Sequence, residues 1–338
     1  MPTHPKSTTL TDKIYGTHTL EEAILRELLE TPQVQRLKHI NQLGVPEEFF
    51  CTKNFSRYEH SVGVLLLLKL LGASPEEQVA GLLHDVSHTA FSHVIDALMG
   101  DTRLEDFQDR QHYAVITSPG LARILTKYGY DPKRISRLGQ FTLLDCPIPG
   151  LCADRLDYAL RQMPPASAKR ALAKVVHQNG RIVFQDQPSA TDFATMFLKL
   201  QVDLWGGFES AFRYNLLAGA LKAGLANGDI VTADLWTDDA KVIAKLTRSH
   251  HAGIHTTLQL LRCKSLAHLP RNGEIVFKKF RYVDPLFLTK HGETLKVSDV
   301  DANFKAKLTQ AQQDNAKGIR LPLIDSYLPV QCHTGGSV

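Results

Sequence analysis

Apolar residues recur at three- and four-residue spacing along most of the chain, the period of a helix face. Leu20–Glu30 follows that period through Leu20, Ile24, Leu25, Leu28 and Leu29. Thr31-Pro32 predicts the next helix start, with Thr as cap and Pro in the first turn, and that helix should end near Gly44. Ser56 predicts a cap for a helix carrying Arg57, Glu59 and His60, and Ser74-Pro75-Glu76-Glu77 fits a capping box. The segment after it is apolar at Val79, Ala80, Leu82, Leu83 and Val86, so His84-Asp85 should lie inside a buried helix with His88 one turn on. A short helix over Thr89–Met99 should carry His93 and Asp96, and Gly100–Arg110 should be a polar link. Asp131-Pro132 predicts another helix start, and after Pro147–Gly150 a helix should carry Asp154, Arg155, Asp157, Tyr158 and Arg161. VVHQNGRIVF, two apolar runs around Asn179-Gly180, predicts a hairpin. Helix should resume from about Thr191 to Ala226 and again after Thr237-Asp238-Asp239. Beyond Pro270, EIVFKKFRYVD and GIRLPLI read as strands around a helix at Asn303–Ala316. The predicted fold is mainly α, with one short β-hairpin and a small C-terminal α/β appendage. The boundaries are a flexible arm at 1–13, a helical body at 14–268, and the appendage and tail at 269–338.

Composition changes this picture little. The 338 residues are 43% hydrophobic and 22% charged, as in ordinary globular proteins. Lys plus Arg exceeds Asp plus Glu by 39 − 35 = 4, and no like-charge block indicates nucleic acid or a membrane surface. VGVLLLLKLL is too short to span a bilayer and contains Lys69, so it reads as a buried helix. The five cysteines are odd in number and contain no CxxC, and the N-terminus lacks a secretory pattern, which together predict a reducing, cytoplasmic setting.

The candidate chemistry lies in His60, the pair His84-Asp85, and Asp154. A charged pair inside an apolar helix is costly unless a metal or partner compensates it. Two imidazoles and two carboxylates suit one divalent ion of borderline hardness: Mn, Fe, Zn, Ni, Co or Mg, its identity open. Such an ion would polarise a phosphoryl group and acidify water. His112, or His93 oriented by Asp96, could protonate the leaving oxygen. Arg57, Arg155 and Arg161 are candidates to hold phosphate oxygens. The chemistry is that of a metal-dependent phosphohydrolase. His250, His251 and His255 lack an acidic companion and read as a surface helix.

Four motifs, TPQVQRLKHINQLG, SRYEHSVGV, AGLLHDVSHTAFSH and CADRLDYALRQ, occur in the order found in the HD-domain superfamily, whose signature is H…HD…D. Over Ile14–Arg161 the chain resembles the branch of deoxynucleoside triphosphate triphosphohydrolases related to the human sterile-alpha-motif/HD enzyme. TDDAKVIAKL and KKFRYVDP echo later family segments. The resemblance implies an HD-type helical fold, metal ligation by His60, His84, Asp85 and Asp154, and a catalytic centre lined by His88, His93, Asp96 and His112, with His112 as general acid. It also implies that Arg57, Arg155 and Tyr158 contact phosphate or nucleoside, and that Gln42 reads a sugar hydroxyl. Gln162 stands where that branch has an aspartate bonding the 3′-hydroxyl. For the family's sugar-side tyrosine, WGGFESAFRY offers Phe208 or Tyr214. The expected substrate is a (deoxy)nucleoside triphosphate, and the expected assembly a homo-oligomer, dimer or higher. A nucleoside monophosphate phosphatase, a cyclic-dinucleotide phosphodiesterase, a di-iron oxygenase and a catalytically silent nucleotide sensor are the alternatives on this scaffold.

Overall fold

The structure, a computed structural model, describes residues 7–50 and 52–323. Cys51, Cys332, His333, the start of the N-terminal arm and the end of GIRLPLI lie outside the described residues. The fold is mainly helical, with a few short sheets. Among the described residues no helix is long and apolar enough to cross a membrane.

The helix Arg57–Leu70 runs through the larger core, and Val64 through Leu68 are fully buried along it. Each such side chain contributes roughly 1.5–3 kcal/mol by leaving water. Its start is fixed by a reciprocal box: the Glu59 amide donates to Ser56 Oγ at 3.1 Å, and the Ser56 amide donates to Glu59 Oε2 at 2.9 Å. The helix Pro75–Leu83 packs against it, with the Glu77 amide donating to Ser74 Oγ. Only half of the expected box forms there, because Glu77 Oε1 accepts instead from the amides of Leu143 and Leu144. The helix Ala153–Gln162 covers the opposite part of Arg57–Leu70.

Several expectations need correction. His84 is the last, capping residue of its helix and Asp85 lies beyond it, so His88 follows a turn rather than a helical repeat. The chain then passes through left-handed backbone at Phe91 (φ 63°) and Ser92 (φ 46°), and the next helix is only Val94–Met99 with His93 at its cap. The Thr31-Pro32 helix ends at Arg36 and continues as one tight turn to His39, well before Gly44. Part of the supposed arm is ordered: Thr8–Asp12 pairs antiparallel with Gly16–Leu20. Its mostly polar strands offered no apolar period to read. The long helix is broken by a π-turn at Gln201–Trp205, between Gln187–Leu200 and Phe208–Asn227. Gly100–Arg110 is not all link, since the helix carrying His112 starts at Phe107.

The hairpin forms as predicted, Val175–Gln178 against Arg181–Phe184, with positive φ at Asn179 and Gly180. Leu286–Leu288 adds in parallel to its second strand, and Thr294–Lys296 adds beyond that. Residues 277–284 are irregular rather than a strand, and only Ile275–Val276 pairs, with Ile319–Arg320.

Candidate metal centre and cleft

Three helices deliver the candidate ligands. His60 comes from the first turn of Arg57–Leu70, His84 from the end of Pro75–Leu83, and Asp154 from the first turn of Ala153–Gln162. One ligand atom from each lies within 4.8 Å of the others. His60 is fully buried and His84 nearly so.

The far side of each ring fixes its tautomer. His84 Nδ1 donates to the Gly81 carbonyl at 2.8 Å, and His60 Nδ1 donates to Asp157 Oδ2 at 2.7 Å. Both Nε2 atoms therefore present lone pairs, and they face each other at 3.1 Å, with Asp154 Oδ1 2.9 Å from His60 Nε2. Lone pairs converging in a buried space require positive charge between them. A proton meets that need in part: burial opposes a charged His60, but Asp154 and Asp157 outweigh it and raise its pKa to about 9. A divalent cation meets it more fully, and two nitrogens with carboxylate oxygens fit such an ion. Asp85 stands at the edge of the cluster. Its Oδ1 is 3.5 Å from His84 Nε2 and its Oδ2 is 3.8 Å from His60 Nε2, while Arg57 Nη1 donates to Oδ2 at 2.8 Å.

Behind His60 stands a network that the sequence reading did not assign. Asp157 accepts from the Tyr15 hydroxyl at 2.8 Å and from Arg161 Nε at 2.8 Å, and Arg161 Nη2 donates to Asp12 at 2.8 Å. Gly63 makes room for it, because a Cβ there would stand 2.0 Å from Arg161 Nη2 and 2.1 Å from Asp157 Oδ1. Arg161, expected to hold phosphate, is committed here and does not line the cleft. The signal for Asp157 was its spacing from Asp154; the signal for Gly63 was a glycine inside a helix one turn from His60.

The metal cluster opens into a cleft that also receives Gln42, Arg57, His88, His93, Arg155, Tyr158 and Gln162. His93 Nδ1 lies 3.2 Å from Asp96 Oδ2, and its ring meets His88 edge-on at 5.1 Å. His88 Nε2 is 3.3 Å from Asp85 Oδ1, and its buried Nδ1 has no partner among the described residues. His112 and Asp96 are not among the cleft-lining residues. His112 Nδ1 faces Ser87 Oγ at 3.2 Å, its buried Nε2 has no partner among the described residues, and burial, helped by positive charge at His84 whenever that ring is protonated, pushes it down to about 4. Arg57 is spent on Asp85, Ser92 and the Gln42 carbonyl. Gln162 Nε2 donates to the Lys53 carbonyl at 2.7 Å, and Gln42 Oε1 is buried without a partner among the described residues. Of the two aromatic candidates on the sugar side, Tyr214 lines the cleft, with its hydroxyl donating to the Leu43 carbonyl at 2.6 Å.

The opposite wall was largely missed. Lys278, Lys279 and Arg281 enter the cleft from the irregular segment after Val276. Glu105, in left-handed backbone (φ 51°), pairs with Lys278 at 3.0 Å and with Arg281. Burial works against this carboxylate, yet Arg281 and Lys278 hold it well below the usual range. Lys278 Nζ also sits 3.6 Å above the Tyr214 ring. Gln201, buried in the π-turn, accepts from the Arg281 amide at 3.1 Å and donates to the Lys279 carbonyl at 3.4 Å. The same turn brings Leu204 and Trp205 to the cleft, and Trp205 meets Tyr158 edge-on at 5.1 Å. KKFRYVDP was the available signal for this wall.

Comparison with known proteins agrees with this geometry. A family model described as "HD domain" matches residues 57–128. The chain is 34% identical over 330 residues to an uncharacterised protein, YdhJ, of Bacillus subtilis, covering 93% of this chain and 99% of that one. It is 32% identical over 237 residues to the metal-dependent phosphohydrolase cns2 of Cordyceps militaris, covering 67% and 68%. Human SAMHD1, a deoxynucleoside triphosphate triphosphohydrolase, is 32% identical over 146 residues, 37% of this chain and 23% of that enzyme. A solved structure of a hypothetical protein from Aquifex aeolicus shares the fold, with TM-score 0.65, 21% identity, and 89% and 93% of the chains covered. The chain belongs to the HD-domain superfamily, and it resembles the dNTP triphosphohydrolases within it.

Proposed function

We propose that the chain is a metal-dependent phosphohydrolase of nucleotides, with a (deoxy)nucleoside triphosphate as the leading substrate. The observation that carries this is the pair of Nε2 lone pairs, His60 and His84, converging beside Asp154 at the floor of a cleft with a cationic wall. His60, His84 and Asp154 would hold the ion, with Asp85 oriented toward it by Arg57. When bound, the ion supplies Lewis-acid polarisation of phosphoryl oxygens and acidifies water. Arg155, Lys278, Lys279 and Arg281 neutralise the phosphate oxygens, and Arg281 can exchange Glu105 for them. His93 is the better-placed proton carrier. It lines the cleft, and Asp96 behind it holds the Nδ1 proton and leaves Nε2 free to take one up; burial lowers its pKa, so it can pass a proton to the leaving oxygen only once substrate charge has raised that pKa. His112, the acid implied by resemblance, is neutral at pH 7 in the free cleft and would serve only once substrate charge raised its pKa. Tyr158 and Trp205 offer an aromatic wall for the base, and Gln42 and Gln162 offer polar groups for the sugar.

One observation favours a monophosphate as the second reading. Five cleft-lining cations (Arg57, Arg155, Lys278, Lys279, Arg281) match five carboxylates (Asp85, Glu105, Asp109, Asp145, Asp154). A divalent ion would then leave two positive charges, the complement of a phosphomonoester dianion. A nucleotide panel with Mn, Mg, Fe, Co and Ni, resolved by ion exchange, tests both readings. Triphosphate release supports the first and orthophosphate from a monophosphate the second; absence of turnover with every metal and nucleotide contradicts both. With this reading go a catalytic body at 14–268 completed by the 269–338 appendage, and a homo-oligomer, which light scattering tests.

A further inference from the structure

The loop Cys146–Cys152, CPIPGLC, joins the cleft wall to the helix that carries Asp154. Both thiols are free; Cys152 is buried at the helix cap and Cys146 is half-buried. The loop folds back on itself. The Gly150 amide donates to the Pro147 carbonyl at 2.9 Å, and a Cβ at Gly150 would stand 2.6 Å from Cys146 Sγ. One guanidinium nitrogen, Arg155 Nη1, spans both sulfurs, 3.5 Å from Cys146 Sγ and 3.3 Å from Cys152 Sγ, while donating to the Gly150 carbonyl at 3.0 Å. Nothing in the hydrolytic chemistry uses either sulfur.

We propose that Cys146 and Cys152 form a thiol-oxidation site for hydroperoxides, set behind the cleft-lining Asp145, Ile148 and Arg155. A solvent-reachable thiol beside a guanidinium, with a second thiol in reach, is the arrangement of a reactive and a resolving cysteine. The neighbouring Cys152 thiol and the charge of Arg155 lower the Cys146 pKa against the effect of burial, while burial raises that of Cys152, which marks Cys146 as the attacking thiol. Cys146 sulfur attacks one peroxide oxygen, the O–O bond breaks, and sulfenic acid forms while the other oxygen takes the thiol proton and leaves as water, or as the alcohol from an alkyl hydroperoxide. Cys152 sulfur then attacks the sulfenic sulfur, the S–O bond breaks, and a water leaves as the disulfide forms. The two sulfurs together lose two electrons and the peroxide gains them.

The consequence reaches the metal centre through two neighbours. Arg155 loses its two sulfur contacts and keeps, among the described residues, only the Gly150 carbonyl and Asp145, and the cap of the helix, two residues before Asp154, is drawn toward Cys146. Oxidation therefore lowers affinity for the ion. The formation of the disulfide does not depend on the proposed function, whereas its effect on metal binding does.

The test treats the full chain with hydrogen peroxide, blocks remaining thiols with iodoacetamide, and reads peptides by mass spectrometry beside a Mn titration without nucleotide. The expected result is a linked Cys146–Cys152 peptide, abolished by dithiothreitol, with Mn affinity falling at least fivefold and returning on reduction. Cys146→Ser should bind Mn like the parent and ignore peroxide, and Cys152→Ser should stop at sulfenic or sulfinic acid on Cys146. If Cys152→Ser fails to fold, the parent and Cys146→Ser suffice. Oxidation of Cys146 without the linked peptide overturns the site. A linked peptide with unchanged Mn affinity overturns its coupling to the metal centre. A linked peptide in a chain that never binds Mn upholds the site and contradicts the proposed hydrolase.

Discussion

The two walls of the cleft are built in opposite ways. On the metal side, His60 and His84 sit on helices whose starts are capped by Ser56 and Ser74, and each imidazole is locked from behind, His60 by Asp157 and His84 by the Gly81 carbonyl. On the cationic side, Lys278, Lys279 and Arg281 come from an irregular segment held by the Gln201 amide, the Glu105 carboxylate and the Asn315 amide, which donates to the Lys278 carbonyl at 3.2 Å. A metal centre needs fixed donors, since outer partners set ring orientation and basicity. A phosphate-binding wall can be exchangeable, because its carboxylate counter-ion gives way to substrate. Under the proposed function, ion affinity would belong to one side and substrate affinity to the other.

The strongest way to break that division is to remove a ligand. His84→Ala should lower Mn affinity and turnover by more than about 100-fold, beyond the usual range for an outer partner, with the secondary structure intact by circular dichroism. Preserved Mn affinity would place the ion elsewhere.

Next in size is Asp157→Asn, which keeps the shape but weakens the lock on His60. Mn affinity should fall roughly 10- to 100-fold. Stability should fall by about 3 kcal/mol in denaturant melts, because Arg161 is then left buried with only Asp12 as a charged partner. A change in KM without a change in Mn affinity would contradict the division.

A pH series sharpens the picture of the buried histidines. His112 is depressed from 6.5 to about 4, by burial first and then by His84. Between those values the unfolded chain takes up a proton that the folded chain refuses. Stability should therefore be full above pH 6.5 and decline as pH falls toward 4, by on the order of 3 kcal/mol for this group. His112→Gln should flatten that slope; an unchanged slope would show that His112 is not the group responsible.

The smallest expected effect lies on the other wall. Gln201→Ala should raise KM about fivefold, the loss of roughly one hydrogen bond's worth of positioning, with kcat and Mn affinity nearly unchanged. Gln201→Glu retains the acceptor for the Arg281 amide and should recover part of the loss. Equal losses in Mn affinity would mean that the two walls are not separable.

The difference between the walls also explains what could be read from sequence. Local rules carry two helices of the metal side, where Ser56 and Ser74 accept from amides at the helix starts, and Asp131 and Asp238 cap helices elsewhere in the same way, as their residue types suggested. The Asn179-Gly180 turn was legible for the same reason. The helix end at His84 was not, because no Gly or Pro marks it and apolar residues continue through Val86. The turn that follows depends on left-handed Phe91 and Ser92, the latter donating to the Asn41 carbonyl across the cleft wall. The cationic wall depends on pairings such as Glu105 with Arg281 and Gln201 with Lys279, between residues distant in sequence and without a period. Arg161 was misplaced because its charge suggested phosphate, whereas its helix register points it at Asp157.

The most direct test is anomalous-difference density from crystals grown with Mn. The account predicts one peak within bonding distance of His60 Nε2, His84 Nε2 and Asp154, with Asp85 turned toward it. A peak held by other residues, or none between these side chains at saturating Mn, would contradict it.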